Sequence, residues 1–292
     1  MKKVLLTGAS GLIGKYAIQP LLDAGFEIFA TTTNSDKQSE GVNWIKADLL
    51  NFDDIKNVFE EVKPQYLLHF AWDTTPKTYL ESDLNFKWLD SSMEMLKQFK
   101  SQGGKRAVFA GTCFEYEFQD EPLKENETKL NPTSTYAKCK NQLRERAEEF
   151  CTSNDISFGW GRIFYVFGEG ENENRLVPKV ISYLNDQRAI VFSTGELVKD
   201  YMFADDVAGG FVKFLDSNVE GCVNVCSATP IKIKELVSLI AKKLDKEHLI
   251  SFEPKETNEP KVIVGDNTRL AKEVGYLPQH TLDNALDKLI KK

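Results

Sequence analysis

The 292-residue sequence has few of the residues that build metal sites or disulfide frameworks. Its three histidines (His69, His248 and His280) stand far apart, and its five cysteines include no CxxC pair. Zinc sites and disulfide-stapled folds need such residues at short, fixed spacings. We therefore expect no metal site, no disulfide and a reducing, cytoplasmic location.

Basic stripes and long apolar runs are also absent. The chain carries 37 Lys and Arg against 44 Asp and Glu, a formal net charge of −7. A nucleic-acid-binding face would need clustered cations, and a membrane span or secretory leader would need an apolar run. We expect neither a nucleic acid nor a membrane as a partner.

The first half of the chain alternates short apolar runs with amphipathic segments. The runs predict strands at Lys3–Thr7, Glu27–Thr32, Asn43–Ala47, Tyr66–Phe70, Arg106–Gly111 and Ile156–Ile163. The segments predict helices at Leu12–Ala24, kinked at Pro20, and at Asp53–Val62, Leu84–Lys100 and Thr135–Cys151. This βαβ repetition predicts an α/β protein with a doubly wound parallel (Rossmann) sheet.

The regular alternation ends after Phe167. Helices are predicted at Val177–Asn185 and Ile233–Leu244, a strand at Cys222–Val225, and two short helices in the tail. We expect a dinucleotide-binding domain over residues 1–166, completed by a return strand near 207–228. Residues 167–206 and 229–292 are expected to form a smaller, C-terminal substrate-binding lobe.

A glycine-rich turn follows the first strand. Its glycines are Gly8, Gly11 and Gly14, a GxxGxxG spacing between an apolar strand and a helix. Such a turn lets the backbone approach a pyrophosphate at the positive end of the helix dipole. The turn therefore predicts a dinucleotide site, with a plain structural turn as the alternative.

The end of the second strand bears on the choice of cofactor. An acid there would bind the adenosine 2′-hydroxyl and favour NAD, but no carboxylate occurs before Asp36. Thr32, Thr33, Asn34 and Lys37 can instead accommodate a 2′-phosphate. We expect NADP(H), with NAD(H) possible because no arginine is present to clamp the phosphate. Asp48, after the third strand, is a candidate for the adenine amino group, with a helix N-cap or a solvated loop acid as the alternative.

Tyr136 and Lys140 lie four residues apart on one stripe of a predicted helix. An ammonium in such a stripe is costly unless it has a partner, and it should lower the pKa of the phenol toward neutrality. The pair suits proton transfer, and Thr112, at the end of the fifth strand, can bond the same substrate oxygen. YxxxK alone also occurs by chance in helices.

These motifs together resemble the extended short-chain dehydrogenase/reductase family, in its nucleotide-sugar epimerase/dehydratase/reductase branch. The resemblance includes Asp48–Leu49, His69–Ala71, Asn85, Gly161–Gly168, Asn174–Pro178, Lys199–Val207, Asp266–Leu270 and Gly275–Pro278, and covers almost the whole chain. Trp72 stands where family members usually have a small residue, and could narrow the cleft. His69 is expected at the cofactor floor without a catalytic role, and Asp206 at a helix start.

The resemblance implies three groups of site residues. The catalytic group is Thr112, Tyr136 and Lys140. The cofactor-binding group contains Gly8, Ser10, Gly11, Leu12, Ile13, Gly14, Thr32, Thr33, Asn34, Lys37, Asp48, Leu49, Phe70, Ala71, Trp72, Asn85, Tyr136, Lys140 and Phe164. The substrate-binding group contains Thr112, Cys113, Phe114, Glu115, Asn174, Arg175, Val177 and Lys199. Tyr116 could join the last group. For Cys113 a small buried thiol is the simpler reading, and for Arg175 and Lys199 a solvated charge is the alternative.

The residues after Thr112 separate the branches of the family. Dehydratases place an Asp-Glu pair there, whereas this chain has Cys113-Phe114, and 4-epimerases carry an acid where Thr32 stands. The resemblance therefore implies an NADPH-dependent 4-ketoreductase acting on a nucleotide-diphosphate (deoxy)sugar, as a homodimer through the helices at 84–100 and 135–151. An NAD-dependent 4-epimerase and a non-catalytic dinucleotide sensor are the alternatives.

Overall fold

The computed structural model describes residues 2–34, 37–193, 195–253 and 256–291. Ser35 and Asp36, part of the stretch expected beside the adenosine ribose, lie outside these ranges. Among the described residues, no helix combines the length and apolar character needed to cross a bilayer.

A seven-stranded sheet with parallel neighbours forms the centre of the molecule. Its order is β10-β6-β5-β4-β1-β2-β3. The strands are β1 (Lys2–Thr7), β2 (Phe26–Thr32), β3 (Val42–Lys46), β4 (Tyr66–His69), β5 (Arg106–Thr112), β6 (Ser157–Ile163) and β10 (Gly221–Val225). The central strands are covered on both faces, and for this reason they are apolar almost throughout.

Helices cover both faces of this sheet. They are α1 (Gly14–Asp23), α2 (Phe52–Val62), α3 (Leu84–Ser101), α4 (Thr135–Ser153) and α6 (Ala204–Leu215). One core joins α1 and α6 to the sheet through residues such as Leu21 and Phe211. A second core joins α2, α3 and α4 to the opposite face. The predicted doubly wound α/β fold is confirmed.

A smaller region follows the central strands in sequence. It contains β7 (Tyr165–Phe167), α5 (Leu176–Asn185), β8 (Ile190–Phe192), β9 (Val198–Phe203), β11 (Pro230–Lys232), α7 (Ile233–Lys243), β12 (Ile250–Phe252), β13 (Val262–Ile263) and α8 (Leu282–Ile290). Helices α5, α7 and α8 share a third core that includes Val180, Ile240 and Leu286. The boundaries expected between two domains stay a prediction.

Sequence reasoning expected a helix start at Asp206 but gave α6 no bounds, and it did not predict the short strands of this region. Gly209 and Gly210 lower the helix propensity of α6. The lack of a side chain at Gly209 lets Tyr276 pack closely against α6, since a Cβ on Gly209 would lie 2.5 Å from the Tyr276 hydroxyl. Helix α1 continues through Pro20 to Asp23, and the kink expected there stays a prediction.

Two buried carboxylates tie the late segments together. Asp200, on β9, accepts hydrogen bonds from the backbone N–H groups of Ser227, Ala228 and Gly265 and from the Ser227 hydroxyl. Asp206, in the first turn of α6, accepts from Tyr276, Gln279 and His280. Asp206 thus braces a helix start, as expected.

Replacing Asp200 with Ala should lower the free energy of unfolding by about 3 kcal/mol, because it leaves buried backbone donors without an acceptor. Urea unfolding followed by circular dichroism measures this change. Asp120→Ala, at an exposed position, is the matched control and should change stability by less than about 0.5 kcal/mol. Equal effects of the two substitutions would contradict the structural role of Asp200.

Candidate active site

The predicted site residues gather at the carboxyl edge of the central sheet. Thr7, His69 and Thr112 end neighbouring strands β1, β4 and β5. Strand β1 has β4 on one side and β2 on the other, so successive connections leave it in opposite directions. Open α/β sheets bind ligands in the crevice formed at such a switch point.

The glycine-rich turn lies in this crevice and leaves no room for side chains. Gly8 has φ +69°, and a Cβ on it would lie 2.7 Å from the Ala71 nitrogen. A Cβ on Gly14 would lie 2.1 Å from the Gly8 carbonyl oxygen. Helix α1 begins at Gly14 without a side-chain cap, and Ser10 and Gly11 are exposed. The turn therefore fits an anionic dinucleotide at the start of the helix.

The end of β2 presents hydroxyls, an amide and an ammonium. Thr32 is buried, and its hydroxyl accepts a hydrogen bond from the Asn34 backbone N–H at 3.1 Å. Thr33, Asn34 and Lys37 are exposed. The Lys37 ammonium lies 5.6 Å from the centre of the Trp44 ring.

The segment after β3 flanks the crevice on this side. Asp48 is exposed, and its carboxylate accepts the Leu50 backbone N–H at 3.0 Å. Leu49 is buried, and its carbonyl accepts a hydrogen bond from the Ser91 hydroxyl. Asp48 therefore closes a local turn and leaves the rest of its carboxylate facing solvent.

His69 lies at the floor of the crevice. Its ring nitrogens contact the Thr7 hydroxyl at 2.7 Å and the Ser92 hydroxyl at 3.0 Å. Burial, together with the nearby charge of Lys140, holds the pKa of His69 well below its usual range. His69 thus stays neutral and braces the ends of β1 and β4, whereas Phe70 and Ala71 beside it remain half-buried.

Thr112, Tyr136 and Lys140 meet above β5, as the spacing predicted. Ser134 caps α4 by accepting the Ala137 N–H, which places Tyr136 in the first turn and Lys140 one turn later. The Tyr136 and Thr112 hydroxyls are neighbours, and the Thr112 hydroxyl acts to lower the pKa of Tyr136. The Lys140 ammonium donates to the Ala110 carbonyl oxygen at 2.8 Å. All three side chains are more than nine-tenths buried.

The structure corrects the expected titration of Tyr136. Burial raises the pKa of this phenol, and the Thr112 hydroxyl offsets only part of the rise. Burial also lowers the pKa of Lys140 to about 7, against the opposing charge of Glu115. The expectation that the pKa of the Tyr136 phenol lies near 7 is wrong for the ligand-free chain. A buried ammonium and a buried phenol both lose the hydration that stabilises their charged forms. At neutral pH the phenol is protonated.

Glu115 lies beneath Thr112 rather than at the surface of the crevice. It has no exposed area, and its carboxylate accepts from Thr112 N–H at 3.0 Å and Arg162 Nε at 2.7 Å. Tyr116 is equally buried and accepts a hydrogen bond from Arg162. Sequence reasoning expected both to line the substrate pocket; the structure places them in a supporting layer.

Cys113 and Phe114 also follow Thr112, and of these two only Phe114 is half-buried rather than buried. Cys113 is buried in an apolar cluster, and burial raises the pKa of its thiol. The simpler reading of Cys113 as a small buried side chain therefore agrees with the structure.

Tyr79 covers the catalytic phenol, a feature that sequence reasoning missed. Its ring centre lies 5.0 Å from that of Tyr136, edge to face. Arg175, before α5, stacks 5.2 Å from Tyr79 and donates to the Thr74 carbonyl oxygen at 3.2 Å. Tyr79 lies in an irregular segment without a motif, so no sequence signal marked it.

The remaining predicted residues are dispersed around this centre. Asn174 is exposed, whereas Val177 and Phe164 belong to apolar cores. The Lys199 ammonium is buried, donates to the Pro260 carbonyl oxygen at 3.0 Å and lies 5.6 Å from the Tyr165 ring. Within the described ranges, no group of three or more His, Cys, Asp or Glu side chains is placed to hold a metal ion.

The doubly wound sheet with a glycine turn at its switch point is a Rossmann fold, and Thr112, Tyr136 and Lys140 are buried at its carboxyl edge. Residues 4–226 match the family model described as "NAD dependent epimerase/dehydratase family". The chain belongs to this family, and the expected resemblance is confirmed.

Individual relatives extend the similarity over the whole chain. The chain is 28% identical to dTDP-4-dehydro-6-deoxyglucose reductase of Escherichia coli, over 99% of this chain and 96% of that protein. It is 26% identical to dTDP-6-deoxy-L-talose 4-dehydrogenase (NAD(+)) of Aggregatibacter actinomycetemcomitans, over 86% and 93%. The UDP-glucose 4-epimerase of Thermus thermophilus, solved with NAD, has the same fold, with a TM-score of 0.86, 20% identity and 98% coverage of both chains.

Replacing Gly14 with Ala should weaken binding of NADH and NADPH at least about a hundredfold, because the added methyl displaces the Gly8 carbonyl and distorts the turn. Titration of tryptophan fluorescence with each dinucleotide measures the affinity. Gly25→Asn is the matched control: it lies at the end of α1, a Cβ there meets nothing within 4 Å, and asparagine tolerates positive φ. Unchanged affinity in Gly14→Ala would show that the dinucleotide binds elsewhere.

Proposed function

We propose that this protein reduces the 4-keto group of a nucleotide-linked 4-keto-6-deoxy sugar with NADPH, in the biosynthesis of a deoxysugar for surface polysaccharides or other glycoconjugates. The observation that carries the proposal is the burial of Thr112, Tyr136 and Lys140 at the end of β5, where the Lys140 ammonium donates to the Ala110 carbonyl oxygen. Relatives named as a 4-keto-sugar reductase and a deoxytalose dehydrogenase support the reaction class.

The glycine turn, the end of β2 and Lys140 are the groups that would hold the cofactor. The close approach at Gly8 and Gly14 provides the space for a pyrophosphate, and Lys140 would bond the nicotinamide ribose. When bound, a reduced nicotinamide supplies hydride to C4 of the sugar. The chain itself supplies the proton and the environment for charge.

Tyr136 acts as the acid in this proposal. Its raised pKa keeps the phenol protonated at neutral pH, so that it can donate its proton to the alkoxide forming at C4. Thr112, a neighbour of the phenol, polarises the same oxygen, and the Lys140 ammonium stabilises the phenolate left behind. Exclusion of water by Tyr79 and Trp72 strengthens each of these interactions.

Arg175 and Lys199 are the proposed ligands of the diphosphate. Arg175 reaches across the crevice to Thr74, and it would exchange this carbonyl for phosphate oxygens. Lys199 would need to leave Pro260, and burial already lowers its pKa. A diphosphate would stabilise the charged form of that ammonium, which favours such an exchange.

An NAD-dependent 4-epimerase is the second candidate, favoured by the fold shared with UDP-glucose 4-epimerase. Epimerases regenerate their cofactor within each turnover, so they consume none. Position 32 holds a threonine instead of an acidic residue, and this favours the reductase. A non-catalytic dinucleotide sensor would not need the intact Thr112, Tyr136 and Lys140 set.

We further propose a cytoplasmic homodimer. The five cysteines are all free, as a reducing compartment requires. Helices α3 and α4 are the proposed interface. Phe86, on α3, and Phe52, the first residue of α2, are each 51% exposed. Phe52 also lines a groove together with Met93 of α3 and Phe150 of α4. Apolar side chains on adjacent exposed helices favour burial against a second copy.

The reductase is tested by following NADPH and NADH at 340 nm with a panel of nucleotide-linked 4-keto-6-deoxy sugars. We expect stoichiometric consumption of NADPH with one of them. Tyr136→Phe should lower kcat roughly 10²–10⁴-fold because the acid is lost, while cofactor affinity is retained. Tyr183→Phe, on α5 and remote from Thr112, is the control and should keep its activity.

Two outcomes would overturn this assignment. Sugar isomerisation without net consumption, with cofactor retained on the purified protein, would identify an epimerase. Unchanged kcat in Tyr136→Phe would exclude the phenol as the acid.

Lys37→Ala should weaken NADPH binding about fivefold and leave NADH binding unchanged, because an exposed ammonium facing a 2′-phosphate contributes about 1 kcal/mol. Fluorescence titration at two salt concentrations measures both affinities, and the NADPH effect should shrink at high salt. Lys63→Ala, at the exposed end of α2, is the charge-matched control. Equal loss of both dinucleotides in Lys37→Ala would contradict the assignment of NADPH.

A further inference from the structure

An indole ring lies directly over the ammonium of the proton-transfer pair. The Lys140 nitrogen is 3.8 Å from the centre of the Trp72 ring. Trp72 lies three residues after the end of β4. A cation this close to an indole face is attracted by the negative face of the ring.

The position of Trp72 is fixed by its neighbours. Its indole N–H donates to the Asn85 side-chain oxygen at 2.8 Å. The Asn85 amide donates in turn to the backbone carbonyls of Tyr79, at 2.7 Å, and Ser82, at 2.8 Å. On its other side Trp72 stacks on Trp88, with ring centres 6.2 Å apart. The ring is therefore held in place before any ligand binds.

Lys140 depends on this ring because it has few other partners. Its one hydrogen bond among the described residues goes to the Ala110 carbonyl oxygen. Three titratable groups face it. Glu115 favours its charge but is shared with Arg162, His69 is neutral, and Tyr136 is protonated at neutral pH. Trp72 supplies the other close attraction.

We propose that Trp72 is a positioning residue for Lys140: its indole face holds the ammonium over the Ala110 carbonyl and stabilises the charged form of the side chain. The consequence for catalysis rests on the proposed function, whereas the titration of Lys140 does not. Because the ring favours only the protonated form, its removal should lower the pKa of Lys140.

The test compares Trp72→Leu with Trp72→Phe in the ligand-free protein. Both replacements are apolar, but only phenylalanine keeps a π face. Lysine labelled with ¹³C at Cε reports the pKa by NMR, and the Lys140 signal is identified by its loss in Lys140→Arg. We expect Trp72→Leu to lower the pKa of Lys140 by about one unit, and Trp72→Phe by clearly less.

Trp88→Phe is the matched control, because this ring stacks on Trp72 and its buried indole nitrogen has no hydrogen-bond partner in the described chain. It should leave the pKa of Lys140 unchanged. If a variant fails to fold, fluorotryptophan is introduced at position 72 alone by nonsense suppression, which weakens the negative face of this ring at nearly constant volume. The pKa of Lys140 should again fall. Equal shifts in Trp72→Leu and Trp72→Phe, or no shift in Trp72→Leu or with fluorotryptophan, would overturn the proposal.

Kinetics separate this proposal from the proposed function. If the protein reduces ketones, the alkaline limb of kcat/KM against pH should move down with the Lys140 pKa in Trp72→Leu. If Trp72→Leu shifts the pKa of Lys140 but the protein reduces no 4-keto sugar, the proposed reductase is wrong and the role of Trp72 is retained. If the protein reduces such a sugar but the pKa of Lys140 does not shift, the reductase is retained and the role of Trp72 is wrong.

Discussion

A single buried carboxylate anchors the catalytic end of the sheet. Glu115 accepts hydrogen bonds from the Thr112 backbone, the Trp160 indole and the Arg162 guanidinium, and so joins the end of β5 to β6. Its ion pair with Arg162 is almost fully buried on both sides. Removing one partner of such a pair typically costs about 3–5 kcal/mol, because the other charge stays buried and unpaired. The position of the Thr112 hydroxyl depends on this anchor.

Above that anchor, exclusion of water governs the chemistry. The same burial that raises the pKa of Tyr136 lowers the pKa of Lys140, since each group loses the solvent that stabilises its charged form. Because the two shifts run in opposite directions, burial favours the neutral form of each group in the ligand-free protein. A ligand oxygen entering this space would meet the Thr112 and Tyr136 hydroxyls.

Aromatic side chains cover Tyr136 and Lys140, and the residues around them come from distant parts of the chain. Trp72 and Tyr79 lie in the segment after β4, and Arg175 precedes α5. Arg175 stacks on Tyr79, which contacts Tyr136, so a ligand that engages the guanidinium would also act on the cover of the phenol. The exposed rim of the crevice is thus linked to the cover of the buried phenol through these contacts.

The sequence by itself determined the fold class, the glycine turn and the Thr112, Tyr136 and Lys140 set. Their signals are local: apolar strands alternating with helices, glycines at a strand-to-helix turn, and two residues one helical turn apart. It also marked Asn85 and Trp72 as members of the site, without their contacts.

Only the tertiary structure decided which residues support the site and how it titrates. Glu115 follows Thr112 in sequence yet lies beneath it, because Arg162, from another strand, offers a buried partner. Helix α6 forms despite two glycines because Tyr276 packs against them. The contact between Trp72 and Lys140, and the direction of both pKa shifts, depend on burial by segments far apart in the chain, which local sequence patterns do not encode.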